Sequence, residues 1–166
     1  MRIRLLILLF ILPLSLWSQR YGFLDWSTDE GLAQSQVRSI EQDHLGYLWI
    51  GTLGGVSRFN GTSFDNFSKQ DGLHNNQVNS IYQLNNQSIA LGAIGGLSIF
   101  DGHTFETILF PEAQRTAQVN HMYEDGENRL WVGTEKGLLC LKNGTWISLE
   151  HISDFPGNTH IKRIAP

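Results

Sequence analysis

Three groups of residues in this chain have types and spacings that could do chemistry. The stretch GTLGGVSRFNG at 51–61 gathers glycines around small polar side chains. Such strings cradle phosphates when a helix follows and aims its first N–H groups at the anion. Here a segment of strand type follows, so the string does not read as a nucleotide loop. Six histidines (His44, His74, His103, His121, His151 and His160) could ligate a metal, but no two stand four apart, and they are scattered along the chain. Asp43 and Asp125 could act as carboxylates, yet DGENR at 125–129 lacks the alternating ligands of a calcium loop. Both read better as turn caps that accept backbone N–H groups at strand ends, with Gly46 and Gly126 close behind. No serine sits in a nucleophile elbow. Cys140, between Leu139 and Leu141, is the only cysteine and reads as a small buried hydrophobe. The segment therefore carries no catalytic signature, no metal site and no cofactor site.

Composition narrows what must position any remaining site. The 166 residues include 17 Gly, 9 Phe, 5 Trp and 4 Tyr, with only 17% charged residues. Many glycines and aromatics with few charges favour a turn-rich all-β chain. The net charge of -4 and the absence of a basic segment argue against nucleic acid as a partner. The first 18 residues differ from the rest: MRIR, an apolar run LLILLFIL, then Pro13 and a small residue, Ser18. This is the layout of an export signal cleaved after Ser18, with an uncleaved N-terminal anchor as the alternative, and the run is short for a membrane span. Cleavage after Ser18 removes Arg2 and Arg4, leaving 10 bases against 16 acids.

Beyond the leader, the chain repeats at a step of 41 residues. Val37, Val78 and Val119 share a phase, as do Gly51, Gly92 and Gly133, and Gly55, Gly96 and Gly137. Phe64, Phe105 and Trp146 follow the same step; Trp49 and Trp131 flank Ala90. Each unit holds four short strand-type segments, of which VRSIEQ, YLWIGT, GVSRFN and SFDNFS are the first set, with NGT, DGH and NGT as two-residue hairpin signals. Four antiparallel strands per roughly 40 residues in tandem is the signature of β-propeller blades. The expected boundaries are 35–69, 76–110 and 117–150 for three blades, with a fourth opening at about 159–166. Residues 21–28 align one step upstream of the fourth strand of the first blade, because FLDWSTDEGL at 23–32 matches FDNFSKQDGL at 64–73. That places an orphan outer strand at the start. An incomplete ring is expected, with the remaining blades lying elsewhere in a longer protein.

In YLWIGTLGG at 47–55, Gly51 is expected to meet a close approach from the neighbouring blade, and Gly54 and Gly55 to turn the chain. Ligands of propellers often sit on the face built by loops entering the first strand and loops joining the second to the third. The first set is AQSQ, HNNQ and RTAQ. Its amides Gln34, Gln36, Asn75, Asn76, Gln77 and Gln118 offer both donors and acceptors suited to sugar hydroxyls. The second set is TLGG, AIGG and TEKG, and within YLWIGTLGG only the turn, Leu53 and Gly54, is left able to meet a ligand.

The pattern GL-x4-V-x-SI-x2-D-x2-G-x-LWIGT-x2-GV-x-RF-x-G, carried by Gly31, Leu32, Val37, Ser39, Ile40, Asp43, Gly46, Leu48–Thr52, Gly55, Val56, Arg58, Phe59 and Gly61, resembles the two-component regulator propeller repeat. The third unit keeps most of it, including Asp125 and Trp131. The second departs, with Leu84 for the Asp and SIALGA in place of LWIGT. The resemblance implies the periplasmic sensor half of a bacterial membrane sensor, anchored in the inner membrane. In such proteins a histidine kinase output lies downstream, and many relatives detect glycans. It implies recognition of a ligand, an oligosaccharide being one candidate, without catalysis in this segment, and it leaves a homodimer of the full-length sensor open. A secreted or surface propeller scaffold without a kinase is the alternative reading.

Overall fold

The computed structural model describes residues 22–147, 149 and 161–164. The expected leader lies outside them, as does half of the expected opening of a fourth blade, residues 159–160 and 165–166. Twelve strands follow one another: β1 Val37–Gln42, β2 Leu48–Thr52, β3 Val56–Phe59, β4 Phe64–Phe67, β5 Ser80–Gln83, β6 Ile89–Gly92, β7 Gly96–Phe100, β8 Phe105–Leu109, β9 Val119–Glu124, β10 Leu130–Thr134, β11 Gly137–Lys142 and β12 Thr145–Ile147. They form three antiparallel sheets with sequential order, β1-β2-β3-β4, β5-β6-β7-β8 and β9-β10-β11-β12. Each sheet is one sequence repeat. Successive sheets meet through their first strands, β1 on β5 and β5 on β9, as blades around an axis do.

One backbone hydrogen bond recurs at each junction. The N–H of Val78 donates to the Thr52 carbonyl at 2.9 Å, that of Val119 to Ala93 at 3.4 Å, and that of Ile161 to Thr134 at 2.9 Å. Ile161, although outside any strand, thus takes the place that Val78 and Val119 hold in their blades. The glycines at the 41-residue step make these approaches possible. A methyl group on Gly51 would stand 2.9 Å from the Val78 carbonyl oxygen. One on Gly92 would meet Val119 Cγ1 at 2.6 Å, and one on Gly133 would meet Ile161 Cγ2 at 2.6 Å. The close approach expected at Gly51 is therefore present, and Gly92 and Gly133 repeat it.

The core is built at the junctions. Trp49, Val56, Leu73, Val78, Ile81, Ile89, Leu91 and Phe100 fill the first, and Ala90, Leu97, Phe110, Val119, Met122, Leu130 and Val132 are the centre of the second. Both faces of the middle blade are covered, which is why β6 is buried at every residue. The first blade differs on its outer side. Val37 is 42% exposed where Val78 is 1%, and Ile40 is 59% exposed where Ile81 is 6%. Buried hydroxyls are satisfied by the turns they brace. Thr52 Oγ1 donates to the Gly55 carbonyl at 2.9 Å, and Thr134 repeats the bond to Gly137 at 2.8 Å. Gly55 (φ 141°) and Gly137 (φ 118°) take the left-handed conformation there. Gly54 does not; it stays small because Gln34 crowds it.

Three sequence readings change in detail. The NG and DG hairpins are not one turn. In the first two blades Gly61 and Gly102 alone have positive φ, the sign pattern of a type II′ turn, and Asn60 and Asp101 cap it by accepting from two backbone N–H groups each. In the third blade Asn143 and Gly144 are both positive and link Lys142 to Thr145 directly, the two-residue type I′ hairpin. The motif there sits one residue later in the repeat. Likewise, the counterpart of Gly46 (φ 89°) is Asn128 (φ 56°), with Gln87 (φ 73°) between them, and not Gly126. Residues 22–27 form no strand. Trp26 instead packs on Phe59 and Phe64, with ring centroids 4.6 and 5.7 Å away.

Candidate functional site

Asp43 and Asp125 are turn caps, as expected, and something more. Asp43 Oδ1 accepts from the N–H groups of Leu45 and Tyr47 at 2.9 Å, and its Oδ2 accepts from the Trp49 indole at 2.8 Å. Asp125 does the same with Glu127, Arg129 and the Trp131 indole, also at 2.8 Å. The Trp131 indole, followed by Arg129 and backbone N–H groups, holds the Asp125 carboxyl well below the usual carboxylate range. These aspartates are committed to structure. The second blade lacks both partners at once, having Leu84 and Ala90, so the pair is lost as a unit. That coincidence was readable in the sequence.

The remaining candidates lie on one face. Because β1 and β2 are antiparallel with Val37 opposite Thr52, the loop entering β1 and the loop leaving β2 share an end of the blade, and the pairing of Val119 with Thr134 repeats this. At this end both first strands carry a bulge, between Val37 and Ser39 and opposite the step from Gly133 to Thr134. A bulge re-aims the extra side chain. The extra residues are Arg38 and Asn120. With Asn79, Gln118, Val119 and Lys162 they line a cavity of about 320 Å³. Arg38, Asn79, Asn120 and Lys162 each directly follow Val37, Val78, Val119 and Ile161. The cavity is thus one repeat position gathered from successive units: two cations and two amides.

The six amides expected from sequence divide. Gln118 lines this cavity. Gln77 is one step away, its Nε2 donating to Asn79 Oδ1 at 3.3 Å. Gln34 Oε1 accepts from the Gln36 N–H at 2.6 Å and Asn75 Oδ1 from the Gln77 N–H at 3.1 Å, the same loop cap 41 residues apart. Asn76 Oδ1 accepts from the Lys69 N–H at 2.7 Å and ties its loop to the 3-10 turn Lys69–Asp71. The oxygens of Gln34, Asn75 and Asn76 are therefore engaged in loop structure, and Gln36 is exposed beside its cap. Arg38, Asn79, Asn120 and Lys162 were missed. Their signal was periodic: a polar residue directly after the buried aliphatic that opens each unit.

Among the described residues no group of three His, Cys, Asp or Glu is placed to hold a metal ion. Cys140 is 1% exposed, and burial pushes its thiol up.

Three sequential four-stranded blades, packed through their first strands, define a β-propeller arc. Two stretches of its repeats, residues 31–54 and 114–136, match the family model described as Two component regulator propeller. Over 60 residues the chain is 42% identical to Histidine kinase P4 of Formosa agariphila, which covers 35% of this chain and 4% of that protein. Two solved extracellular domains from B. thetaiotaomicron share the fold. That of the hybrid two component system BT3049 superposes with a TM-score of 0.71 at 24% identity, covering 91% of this chain and 22% of the other. That of BT4673, described as a one component system, gives 0.68 at 21% identity, covering 90% and 21%. The chain thus spans only a small part of the length of each relative.

Proposed function

We propose that this chain is part of the exported, ligand-recognising propeller of a two-component sensor, whose kinase lies elsewhere in the full-length protein. The matched repeats and the histidine kinase relative support this reading. The exposed side of the first blade, at Val37 and Ile40, is the surface that a further blade of the same ring would cover. The full-length protein would sit in the inner membrane with this part in the periplasm.

The ligand would bind at the cavity where the first strands begin. The observation that carries this is the convergence of Arg38, Asn79, Asn120, Lys162 and Gln118 on one space. Amides suit hydroxyl groups, and the two cations favour a ligand that also bears carboxylates. An acidic oligosaccharide has both. The test is the signalling response of the full-length protein to galacturonate oligomers and to matched neutral galactose oligomers. Arg38→Gln and Lys162→Gln should each weaken the response to the acidic series by about 10-fold, the loss of roughly one charged hydrogen bond. Asn76→Ala should change it little. Equal responses in the arginine, lysine and asparagine variants would discard this site.

A further inference from the structure

At the first blade junction a layered stack fills the space toward the outer strands. The Arg58 guanidinium lies 5.7 Å from the centre of the Trp49 ring, Trp49 stacks on Phe67 at 5.9 Å, and Asp43 holds the indole N–H. One repeat later the same four positions are Leu84, Ala90, Ile99 and Ile108. Both rings and both charges are gone together, and Trp146, which stands where the first junction has Phe105, packs on Phe110 and does not line the space that is left. The second junction consequently holds a cavity of about 550 Å³, against about 290 Å³ at the first.

Its floor is apolar, formed by Leu84, Ile99, Ile108, Leu130 and Leu141. Its rim is acidic, with Glu106 from β8 and Glu124 from the end of β9. The rim is fixed across the junction: the Asn85 N–H donates to Glu124 Oε2 at 2.6 Å, and Asn85 Nδ2 donates to Asn128 Oδ1 at 3.2 Å. Among the described residues no lysine or arginine lines the cavity. The nearest cations on the third blade are engaged elsewhere, Arg129 with Asp125 and Glu127, and Lys142 with Glu127. Glu106 makes no ion pair among the described residues.

We propose that this interblade cavity binds a small organic cation, an ammonium group carried on an apolar body. The size falls within the roughly 300–1,000 Å³ of small-molecule sites. An apolar body would cover Leu130 and Leu141. A purely apolar ligand would desolvate Glu106 and leave Glu124 with only the Asn85 N–H, and an anion would be repelled by both carboxylates. An ammonium placed between Glu106 and Glu124 satisfies both. The site lies at the opposite end of the strands from the cavity around Gln118, so the two can be tested separately.

The probe is phenethylammonium, compared with the isosteric neutral 2-phenylethanol, by calorimetric titration of the full-length protein. The ammonium compound should bind at least about 10-fold more tightly than the alcohol, and Glu106→Gln should erase most of that preference. Ala90→Trp, which restores the ring found in the first and third blades, should abolish binding. Ile108→Phe, a smaller change that restores the Phe67 ring, should weaken binding by about 10-fold or more and guards against misfolding of the tryptophan variant. Equal affinity for the two probes, no binding of the ammonium at millimolar concentration, or binding unchanged in Ile108→Phe would each overturn the proposal.

Discussion

Replacing Gly92 by alanine probes how the blades are held together. The new methyl group would lie 2.6 Å from Val119 Cγ1 and 2.9 Å from Val119 Cβ, and Val119 is fully buried. Overpacking of this kind costs about 1–3 kcal/mol. The loss of glycine entropy in the unfolded chain returns about 0.4–1 kcal/mol, because the backbone at Gly92 has no positive φ. A net loss of about 1–2 kcal/mol is expected. Val119→Ala alone should cost about 2–3 kcal/mol through lost burial and the space left behind. Combined, the two should cost less than their sum by about 1 kcal/mol, since the contacts with Cγ1 and Cγ2 disappear while that with Cβ remains. Gly51 supplies the control. Its nearest obstacle is the Val78 carbonyl oxygen, at 2.9 Å, which no side-chain change removes. The junction there is also tighter, with a 2.9 Å interblade hydrogen bond against 3.4 Å at Val119. Val78→Ala should therefore rescue Gly51→Ala by less than about 0.5 kcal/mol. The assay is denaturant unfolding of the full-length protein, read at constant m-value. Additive costs at 92 and 119, or equal rescue in both pairs, would refute the packing argument.

Two further outcomes follow from the same contacts. Trp49→Phe keeps a ring between the blades but removes the indole donor to Asp43, and should destabilise by about 1.5–3 kcal/mol; an unchanged unfolding midpoint would show that this bond contributes nothing. His121 Nδ1 accepts from the Ile164 N–H at 3.3 Å, the bond that Ser39 makes to Ile81 two junctions earlier. Burial, with Arg163 adding to it, holds the His121 imidazole below its ordinary value. The unfolded chain then binds the extra proton first, so stability is complete above about pH 6.5 and falls as the pH drops below it. His121→Ser should flatten the change in melting temperature between pH 7.5 and 5.5, and an identical pH profile in the variant would refute the assignment.

The repeat was legible because a blade is a local object. Val37, Val78 and Val119, or Gly51, Gly92 and Gly133, recur at one step because each meets the same neighbour in the next blade. The alternation of LWIGT and its equivalents then fixes strands, turns and faces. Less legible was which polar residues serve the loops and which serve a cavity. Asn75 and Gln118 look alike in sequence, but the first caps its own loop two residues on, whereas the second lies beside residues of several repeats.

By itself, the sequence determined the all-β blade, its period, the four strands of each unit and the burial of Cys140, since these rest on alternation, turn chemistry and spacing along the chain. Only the tertiary structure decided that bulges at the start of the first strands gather Arg38 and Asn120 into one cavity with Asn79 and Lys162. It alone decided that the absence of a ring at Ala90 opens a space at the second junction. Both depend on the distance between neighbouring blades, and that distance is set by packing between repeats, which no single repeat encodes.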